Sequence, residues 1–429
     1  MEVITAVRGF KDILPEKTGK WQYIEERARE VFRNFGLSEI KVPILEKTDL
    51  FKRGIGETTD IVEKEMYTFK DIGEEYLTLR PEATASVIRA YLQHNMHAVD
   101  PVAKLFTIGP MFRRERPQKG RFRQFHQINV ELIGLDDPRV DAELILMLIC
   151  FLKSVTLPDL GLEINSLGCP ECRPSFREEI LGFLQNKKND LCKDCLRRLD
   201  ANPLRVFDCK MEGCREIISD APKLLDYICP ECQDHFEKVK EYLKVFDIPF
   251  EINAKMVRGL DYYTRTAFEI TTKLLGAQNA IAGGGRYDRL IKELGGPDIP
   301  GIGFAIGIER LISLLPMKDE EFATHPHLFI AALGDEAQEF AYTLCNHLRI
   351  QGIRTEMDYS GKSLKSQMRR SNKFNSRYTL ILGEREIQEK KAELRNMKKG
   401  TQETLSLDNI EEAISNIINL EIDPESSSG

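Results

Sequence analysis

A dense cluster of cations lies in the first third of the chain and is the feature best suited to chemistry. Between Phe112 and Glu131 the sequence is FRRERPQKGRFRQFHQINVE, which packs six cations into eleven residues: Arg113, Arg114, Arg116, Lys119, Arg121 and Arg123. Because Pro117 and Gly120 interrupt the run, it cannot form one continuous helix or a central strand. Guanidinium groups bind phosphates through paired hydrogen bonds, so the cluster predicts a mobile loop that contacts a phosphorylated ligand.

The segments on either side of the cluster predict two strands. Residues 104–112 are mostly apolar, and after the cluster Phe125, Gln127, Asn129 and Glu131 fall on one face of an alternating pattern. The simplest interpretation is an antiparallel pair whose connecting loop carries the arginines. An aromatic ring on the same face suits a stacked base. A solvated surface hairpin is the alternative, but the polar row beside so many arginines argues against it.

Eight cysteines form four closely spaced pairs in the middle of the chain. The pairs are CPEC, CKDC, CKMEGC and CPEC, with the members Cys169, Cys172, Cys192, Cys195, Cys209, Cys214, Cys229 and Cys232. Two such pairs supply the four thiolates of a structural zinc site, so eight cysteines can form up to two sites. A set of reduced thiols in a helical insertion is the alternative, and the sequence leaves both open. In a chain without an export signal, disulfides are the least expected use of these residues.

A carboxylate and a hydroxyl follow another predicted strand, which belongs to a β-hairpin. In LRPEATAS, Pro81 ends the strand, and Glu82 and Thr84 lie at its carboxyl end, where ligand sites collect in open sheets. A carboxylate there can hold an ammonium group. It can equally interact with the dipole of the helix that starts nearby, and the residues alone do not separate the two roles.

Three later stretches combine glycines with polar or aromatic side chains. The segment VRGLDYYTRTAFE carries Arg258, Asp261, Tyr262 and Tyr263 in a short turn between strands. In AGGGRYDRLI three consecutive glycines let the backbone approach a ligand closely. The third stretch, GIGFAIGIERL, predicts a glycine-rich strand that runs into a helix. Its glycine spacing does not match a dinucleotide-binding fingerprint.

Length, composition and charge limit the class of protein. At 429 residues the chain is long enough for about three domains, and 42% hydrophobic and 30% charged residues are ordinary for a globular protein. The net charge of −7 argues against a generally basic nucleic-acid-binding surface, so RNA contacts would come from local patches. No apolar run approaches a membrane span, and the N-terminal sequence MEVITAVRGF does not resemble a signal peptide. We therefore expect a cytoplasmic protein without membrane contact.

Taken together, these stretches resemble class II aminoacyl-tRNA synthetases in the form found in histidyl-tRNA synthetases. FRRER, its loop and RFRQFHQ resemble motif 2. The amphipathic segment 16–35 and the proline-containing strand LSEIKVPILEKTDLF resemble motif 1, the dimer interface of the class, and GIGFAIGIERL resembles motif 3. VRGLDYYTRTAFE and AGGGRYDRLI resemble two signatures specific to histidine enzymes. One departure is Arg265, which stands where relatives often carry a small or polar residue.

The resemblance implies an α/β (α+β) fold with several parts. The catalytic domain, built on an antiparallel sheet, would comprise residues 1–166 and 249–322. Residues 167–248 would form a helical, cysteine-rich insertion. Residues 323–422 would form an α/β anticodon-binding domain, and residues 423–429 a disordered tail.

The resemblance also implies an activity, its ligands and a site. A homodimer would use ATP and Mg²⁺ to convert L-histidine to histidyl-adenylate and pyrophosphate, and would then transfer histidine to the 3′ end of tRNA(His). The implied histidine ligands are Glu82, Ala83, Thr84, Arg113, Gln127, Glu131, Arg258, Tyr262 and Tyr263. The implied ATP ligands are Arg113, Glu115, Arg121, Phe125 and Arg310. Arg258 and Arg113 are the implied catalytic residues.

Two other functions compete with this one. A catalytically inert paralogue, such as the regulatory subunit of ATP phosphoribosyltransferase, typically lacks the anticodon-binding module and has degraded motifs, whereas both are intact here. A zinc-ribbon protein that binds nucleic acid would use the cysteine-rich insertion, but this reading leaves the catalytic motifs without a purpose.

Overall fold

A computed structural model describes residues 3–57, 59–116, 121–209, 211–274 and 280–422. The predicted loop residues Pro117, Lys119 and Gly120 and the predicted tail, residues 423–429, lie outside these ranges. The chain divides into two compact units, Met1–Phe322 and Ala323–Gly429. In the ranges given, each helix is too short or too polar to cross a membrane.

A large, mostly antiparallel sheet forms the centre of the first unit. Over the described residues its strands and those of a smaller sheet are β1 (Ser38–Glu39), β2 (Leu45–Lys47), β3 (Tyr67–Lys70), β4 (Tyr76–Leu79), β5 (Ala103–Phe112), β6 (Gln124–Ile133), β7 (Leu160–Ser166), β8 (Glu251–Ile252), β9 (Thr264–Thr272), β10 (Ala280–Arg286) and β11 (Gly301–Gly307). The large sheet has the order β1-β5-β6-β11-β10-β9-β7-β8, and β2-β4-β3 form the small sheet. Only the edge pairs β1/β5 and β7/β8 of the large sheet are parallel in this part of the chain. The predicted antiparallel catalytic sheet is therefore confirmed.

Helices cover both faces of this sheet. They are α1 (Pro15–Asn34), α2 (Thr48–Ile55), α3 (Thr84–Gln93), α4 (Met96–Val99), α5 (Pro138–Ser154), α6 (Arg173–Gln185), α7 (Lys193–Ala201), α8 (Glu212–Ser219), α9 (Pro230–Val245), α10 (Leu290–Glu293) and α11 (Ile308–Leu314). Local sequence explains where they begin. For example, the Asp137 side chain caps α5 by accepting a hydrogen bond from the Arg139 backbone N–H at 2.8 Å, and Pro138 occupies the first turn. The predicted helical character of the cysteine-rich segment is confirmed by α6 to α9.

The two faces of the sheet have different chemistry. On one face α1, α5, α9 and α11 bury apolar side chains against the strands, including Ile128 and Val130 of β6. The alternate residues of β6, among them Asn129 and Glu131, lie on the opposite face, as the pattern of alternation predicted. Polar side chains are thereby held in a buried row without disrupting the apolar core.

The arginine-rich segment joins two paired strands, as predicted. β5 and β6 are antiparallel, and the last described pair before the loop is Phe112 with Gln124. A different prediction was wrong: LSEIKVPILEKTDLF is not one interrupted strand. It forms β1 and β2, which belong to different sheets, and its last residues begin α2. The physical reason is that Pro43 has no N–H for a strand ladder, and the preceding Val42 carbonyl instead accepts a hydrogen bond from Arg80 at 2.9 Å.

The second unit is an alternating α/β module, as predicted. Its elements are β12 (Leu328–Ala332), α12 (Asp335–Ile350), β13 (Thr355–Met357), α13 (Leu364–Lys373), β14 (Tyr378–Leu382), α14 (Glu384–Gln388), β15 (Lys391–Asn396), β16 (Gln402–Ser406) and α15 (Ile410–Ile422). The sheet order is β13-β12-β14-β15-β16, with the first three strands parallel and the last two antiparallel to their neighbours. The finer division of the first unit into a catalytic domain and an insertion stays a prediction.

Candidate active site

Glu82 lies at the N-terminal end of α3. Its side chain is buried, and its two oxygens accept hydrogen bonds from the backbone N–H groups of Thr84 at 2.7 Å and Ala85 at 2.9 Å. Burial raises the pKa of Glu82, and these N–H groups oppose that rise. The carboxylate therefore does interact with the helix start, which was one of the two open interpretations. A role in holding an ammonium group stays a prediction.

Glu131 of β6 is a second buried carboxyl group and meets the same helix start. Its carboxyl oxygens accept hydrogen bonds from the Thr84 hydroxyl at 2.7 Å and from the Tyr287 hydroxyl at 2.6 Å. Burial raises the pKa of Glu131 to about 8, although both hydroxyl donors act in the opposite direction. A side chain in place of the facing Gly303 would collide with the carboxyl group. A carboxyl group that titrates near neutral pH can donate or accept a hydrogen bond, which suits a partner with two ring nitrogens.

Three tyrosines line the space beside Glu131. The rings of Tyr262 and Tyr263 lie 4.7 Å apart, and the ring of Tyr287 packs edge-on against Tyr262 at 5.8 Å. Burial raises the pKa of Tyr262 and of Tyr263, so both phenols remain protonated hydrogen-bond donors. Sequence reasoning missed Tyr287. The available signal was its position directly after the glycine run of AGGGRYDRLI.

Arg258 lies against the same tyrosines, and its guanidinium is fixed on several sides. One of its nitrogens pairs with Glu269 of β9, and the guanidinium carbon lies 5.4 Å from the centre of the Tyr263 ring. Gly283 makes room for it, because a Cβ at that position would lie 2.5 Å from a guanidinium nitrogen. The Nε of Arg258 is buried and has no hydrogen-bond partner among the described residues.

Gln127 extends the polar row of β6. Its side-chain oxygen is buried, and no described residue donates a hydrogen bond to it. In the strand register Gln127 lies between Gly109 and Gly307, neither of which has a side chain to contribute. An unpaired buried carbonyl costs about 1–3 kcal/mol, which a ligand donor would offset.

The predicted ATP ligands lie at the end of the β5–β6 hairpin. The Arg113 guanidinium lies 5.3 Å from the centre of the Phe125 ring, and its Nε donates to the Pro81 carbonyl at 2.9 Å. Arg121 pairs with Glu115 at 2.8 Å, so these two predicted ligands contact each other.

Arg310 lies at the start of α11 and brings a further cation to this region. Its Nη1 donates to the Ala280 carbonyl at 2.6 Å. Burial and the neighbouring Arg121 lower the pKa of Arg310. Two guanidinium groups close enough to influence each other favour an anion between them.

Sequence reasoning also missed a buried ionic cluster behind the glycine run. Arg286 pairs with Asp141 of α5 at 2.5 Å, and the other oxygen of Asp141 lies 2.8 Å from the His235 ring of α9. Burial opposes the charge of Asp141, but Arg286 and His235 hold the pKa of this carboxyl below its usual value. Arg265, the residue at which the signature differs from that of many relatives, pairs with Asp136 at 2.6 Å. These contacts fix strand ends beside the site, and no simple sequence period connects residues so far apart.

The eight paired cysteines form two clusters, which we call the outer and inner cysteine clusters. The outer cluster contains Cys169, Cys172, Cys229 and Cys232; the inner cluster contains Cys192, Cys195, Cys209 and Cys214. Within each, all sulfur atoms lie within 4.8 Å of one another. Two backbone N–H groups also point at sulfurs, from Cys229 to Cys172 at 3.0 Å and from Cys192 to Cys214 at 3.3 Å. Sulfurs around a tetrahedral zinc ion lie about 3.8 Å apart, so either cluster can hold a metal ion.

An antiparallel sheet, an arginine-rich hairpin and a separate α/β module are the parts of a class II aminoacyl-tRNA synthetase. Comparison with known proteins identifies the family within this class. The family model described as histidyl-tRNA synthetase matches residues 9–311, and the model of the anticodon binding domain matches residues 327–417. The chain belongs to the histidyl-tRNA synthetase family.

Individual relatives match over nearly the whole length. The histidine–tRNA ligase of Desulfatibacillum aliphaticivorans is 54% identical over 417 residues, which cover 97% of this chain and 100% of the relative. That of Geobacter metallireducens is 57% identical and covers 95% and 98%. The crystal structure of apo histidyl-tRNA synthetase from S. aureus aligns with a TM-score of 0.81 and 37% identity, covering 96% of this chain and 100% of that one.

Proposed function

We propose that the protein is a histidine–tRNA ligase. It activates L-histidine with ATP to form histidyl-adenylate and pyrophosphate, and it then transfers histidine to the 3′ end of tRNA(His). The observation that carries the proposal is the buried Glu131 carboxyl beside three tyrosines, next to an arginine-rich hairpin, in a chain of this family. A cytoplasmic location, where tRNA and ATP are present, is part of this proposal.

Histidine occupies the space between α3, β6 and the tyrosines in this proposal. Glu82 and Thr84, with the backbone of Ala83, hold the α-amino group. Glu131 and Tyr262 bind the two imidazole nitrogens, with Tyr263 packed beside them. Because such a site demands hydrogen bonds, it rejects amino acids that lack them, and no editing step is needed.

ATP lies along the hairpin. Phe125 stacks on the adenine, and Glu115 accepts a hydrogen bond from its amino group. Arg113, Arg121 and Arg310 neutralise the phosphates, and Gln127 and Arg258 face the carboxylate and α-phosphate that react. When bound with ATP, Mg²⁺ would take few ligands from the protein and would supply positive charge that stabilises the leaving pyrophosphate.

The first test is pyrophosphate exchange with each of the common amino acids. We expect exchange of radiolabelled pyrophosphate into ATP to depend on histidine, and charging to require tRNA(His). Exchange without charging would mean that the protein activates histidine but does not transfer it to tRNA. The absence of histidine-dependent exchange would favour the inert paralogue.

A homodimer is supported by exposed apolar side chains around the small sheet. Ile44 and Leu45 lie in the motif 1 segment, and Phe69 and Tyr76 lie on the hairpin beside it; all four are exposed. Large apolar side chains exposed on neighbouring strands are typical of a surface that a partner covers. A second copy of the chain is the partner that motif 1 implies.

The second unit binds the anticodon in this proposal. On α13, Lys365 and Arg369 are exposed and lie on one helix face. We expect the double substitution Lys365→Ala and Arg369→Ala to raise the KM for tRNA about tenfold and to weaken its salt dependence, because contacts to phosphates are lost. Pyrophosphate exchange should not change. Arg385→Ala removes an exposed cation of α14 and is the matched control; equal effects of both changes would contradict the prediction.

Both cysteine clusters hold structural zinc in this proposal. Protein purified without chelator should contain about two zinc ions per chain, and Cys172→Ser or Cys195→Ser should each remove about one, because each change leaves three thiolates. Cys150→Ser, outside both clusters, is the control. Elemental analysis measures the metal. Clearly substoichiometric zinc in the unaltered protein would leave the clusters as reduced thiols.

A further inference from the structure

The loop that carries the histidine signature has little regular structure of its own. Residues 257–263, which we call the signature loop, contain Arg258, Tyr262 and Tyr263 but form neither helix nor strand. Ladder hydrogen bonds therefore do not fix its conformation. The Asp261 backbone N–H anchors it to the end of α2 by donating to the Ile55 carbonyl at 3.1 Å. The precise placement of its side chains must come from further contacts.

Many of those contacts come from Arg205, in the cysteine-rich segment. Its Nη2 donates to the Asp261 carboxylate at 2.8 Å and to the Gly259 carbonyl at 3.0 Å, and its Nε lies 3.2 Å from the same carboxylate. Asn202 also donates to the Asp261 carboxylate at 3.2 Å. Arg205 is only 9% exposed, so water competes little with these bonds. One guanidinium thus holds a side chain and a backbone carbonyl of the signature loop together.

Arg205 is itself held firmly. It lies in a short helical turn, Pro203–Asp208, and its carbonyl accepts a hydrogen bond from Arg198 at 3.2 Å. The turn leads directly to Cys209 of the inner cysteine cluster, and Val206 beside it is fully buried. The other side of the Asp261 carboxylate packs against Gly56, where a Cβ would lie 2.6 Å away. The half-buried carboxylate therefore lies between the end of α2 and the cysteine-rich segment.

We propose that Arg205 is a positioning residue for histidine recognition. It acts through Asp261 and Gly259 to set the signature loop, so that Arg258, Tyr262 and Tyr263 meet the bound amino acid in the correct places. The substrate in this inference, histidine, rests on the proposed function. The contact between Arg205 and the signature loop does not depend on that function. Misplacement of reacting groups by about 1 Å can cost 10²-fold in rate, so a residue outside the site can have a large effect.

The test compares variants of the full-length protein. Arg205→Ala removes the contact, and Arg205→Lys keeps the charge but cannot reproduce the forked pair of hydrogen bonds. Asp261→Asn weakens the same contact from the other side. Arg197→Ala is the matched control, because Arg197, on α7 of the same cysteine-rich segment, pairs with Glu63 at 3.0 Å without contacting the signature loop in the described structure. Circular dichroism and zinc content check the fold of each variant.

We expect Arg205→Ala to lower kcat/KM for histidine in pyrophosphate exchange by roughly 10- to 100-fold, with the KM for ATP changed less than about twofold. Arg205→Lys should recover part of the loss. The double change Arg205→Ala with Asp261→Asn should lose little more than Arg205→Ala alone, because both remove one contact. Arg197→Ala should behave as the unaltered protein. Equal losses for histidine and ATP, or equal effects of the Arg205 and Arg197 changes, would overturn the proposal.

Amide hydrogen exchange gives a readout that does not depend on activity. We expect the amides of residues 257–263 to exchange faster in Arg205→Ala than in Arg197→Ala, while the central strands stay protected. Unaltered exchange in this loop would overturn the proposal even if catalysis fell. If Arg205→Ala does not fold, Arg205→Lys and Asp261→Asn are judged against Arg197→Ala by the same criteria. If the unaltered protein shows no histidine-dependent pyrophosphate exchange, the proposed function fails, and hydrogen exchange still decides whether Arg205 sets the loop.

Discussion

Replacing Arg258 by alanine is expected to slow histidine-dependent pyrophosphate exchange about 10²- to 10³-fold. Negative charge grows on the α-phosphate as the histidine carboxylate attacks it. A guanidinium fixed by Glu269 and by the Tyr263 ring needs no reorganisation to meet that charge. The effect should therefore appear mainly in kcat. Steady-state exchange kinetics with each substrate varied in turn provide the measurement.

A second half-reaction separates this role from simple support of the loop. Transfer of histidine from preformed histidyl-adenylate to tRNA should fall much less, because the α-phosphate is then part of the leaving group. Circular dichroism and oligomeric state should be unchanged. Glu269→Gln is an informative control, because it keeps Arg258 and weakens its anchor. Equal losses in the two half-reactions would instead mean that Arg258 serves the structure of the turn.

Replacing Glu131 by alanine should raise the KM for histidine on the order of 10²-fold and leave the KM for ATP nearly unchanged. The carboxyl group lies fully buried, so its removal leaves the imidazole, the Thr84 hydroxyl and the Tyr287 hydroxyl without their partner. The KM for histidine changes because only the complex contains the unpaired imidazole, and one unpaired buried group costs about 1–3 kcal/mol. Pyrophosphate exchange at varied histidine and varied ATP measures both constants. A similar rise in both would contradict the assignment.

Glu131→Gln is the matched control, because it keeps the volume and removes the titrating proton. The pKa of Glu131, about 8 in the folded protein, lies above its ordinary value of 4.5. The folded protein therefore holds this proton more tightly than the unfolded chain. The resulting stability is fully present below pH 4.5 and is lost as pH rises through about 8. Between pH 6 and 9 the melting temperature should accordingly depend less on pH in Glu131→Gln than in the unaltered protein. Equal slopes of melting temperature against pH in the two proteins would show that Glu131 is not held protonated.

Local sequence was sufficient for much of the fold and part of the site. Alternation placed Gln127, Asn129 and Glu131 on one face of β6, and Pro117 and Gly120 predicted that the basic run would not be one regular element. The alternation is confirmed, because the direction of side chains along a strand is a property of neighbouring residues, whereas Pro117 and Gly120 lie outside the described residues. The same reasoning failed for the segment around Pro43, where tertiary pairing assigned the two ends to different sheets.

The sequence by itself determined the order of motifs, the family resemblance, and the presence of four cysteine pairs. Only the tertiary structure decided that the first pair joins the fourth and the second joins the third. It also decided that Tyr287 bonds to Glu131 and that Arg205 reaches the signature loop. These partners are far apart along the chain, and their meeting depends on how strands, helices and loops pack together. The spacing of residues along the chain determines which of them share a face of one helix or strand. Packing determines which of these faces meet, and the resulting burial raises the pKa of Glu131.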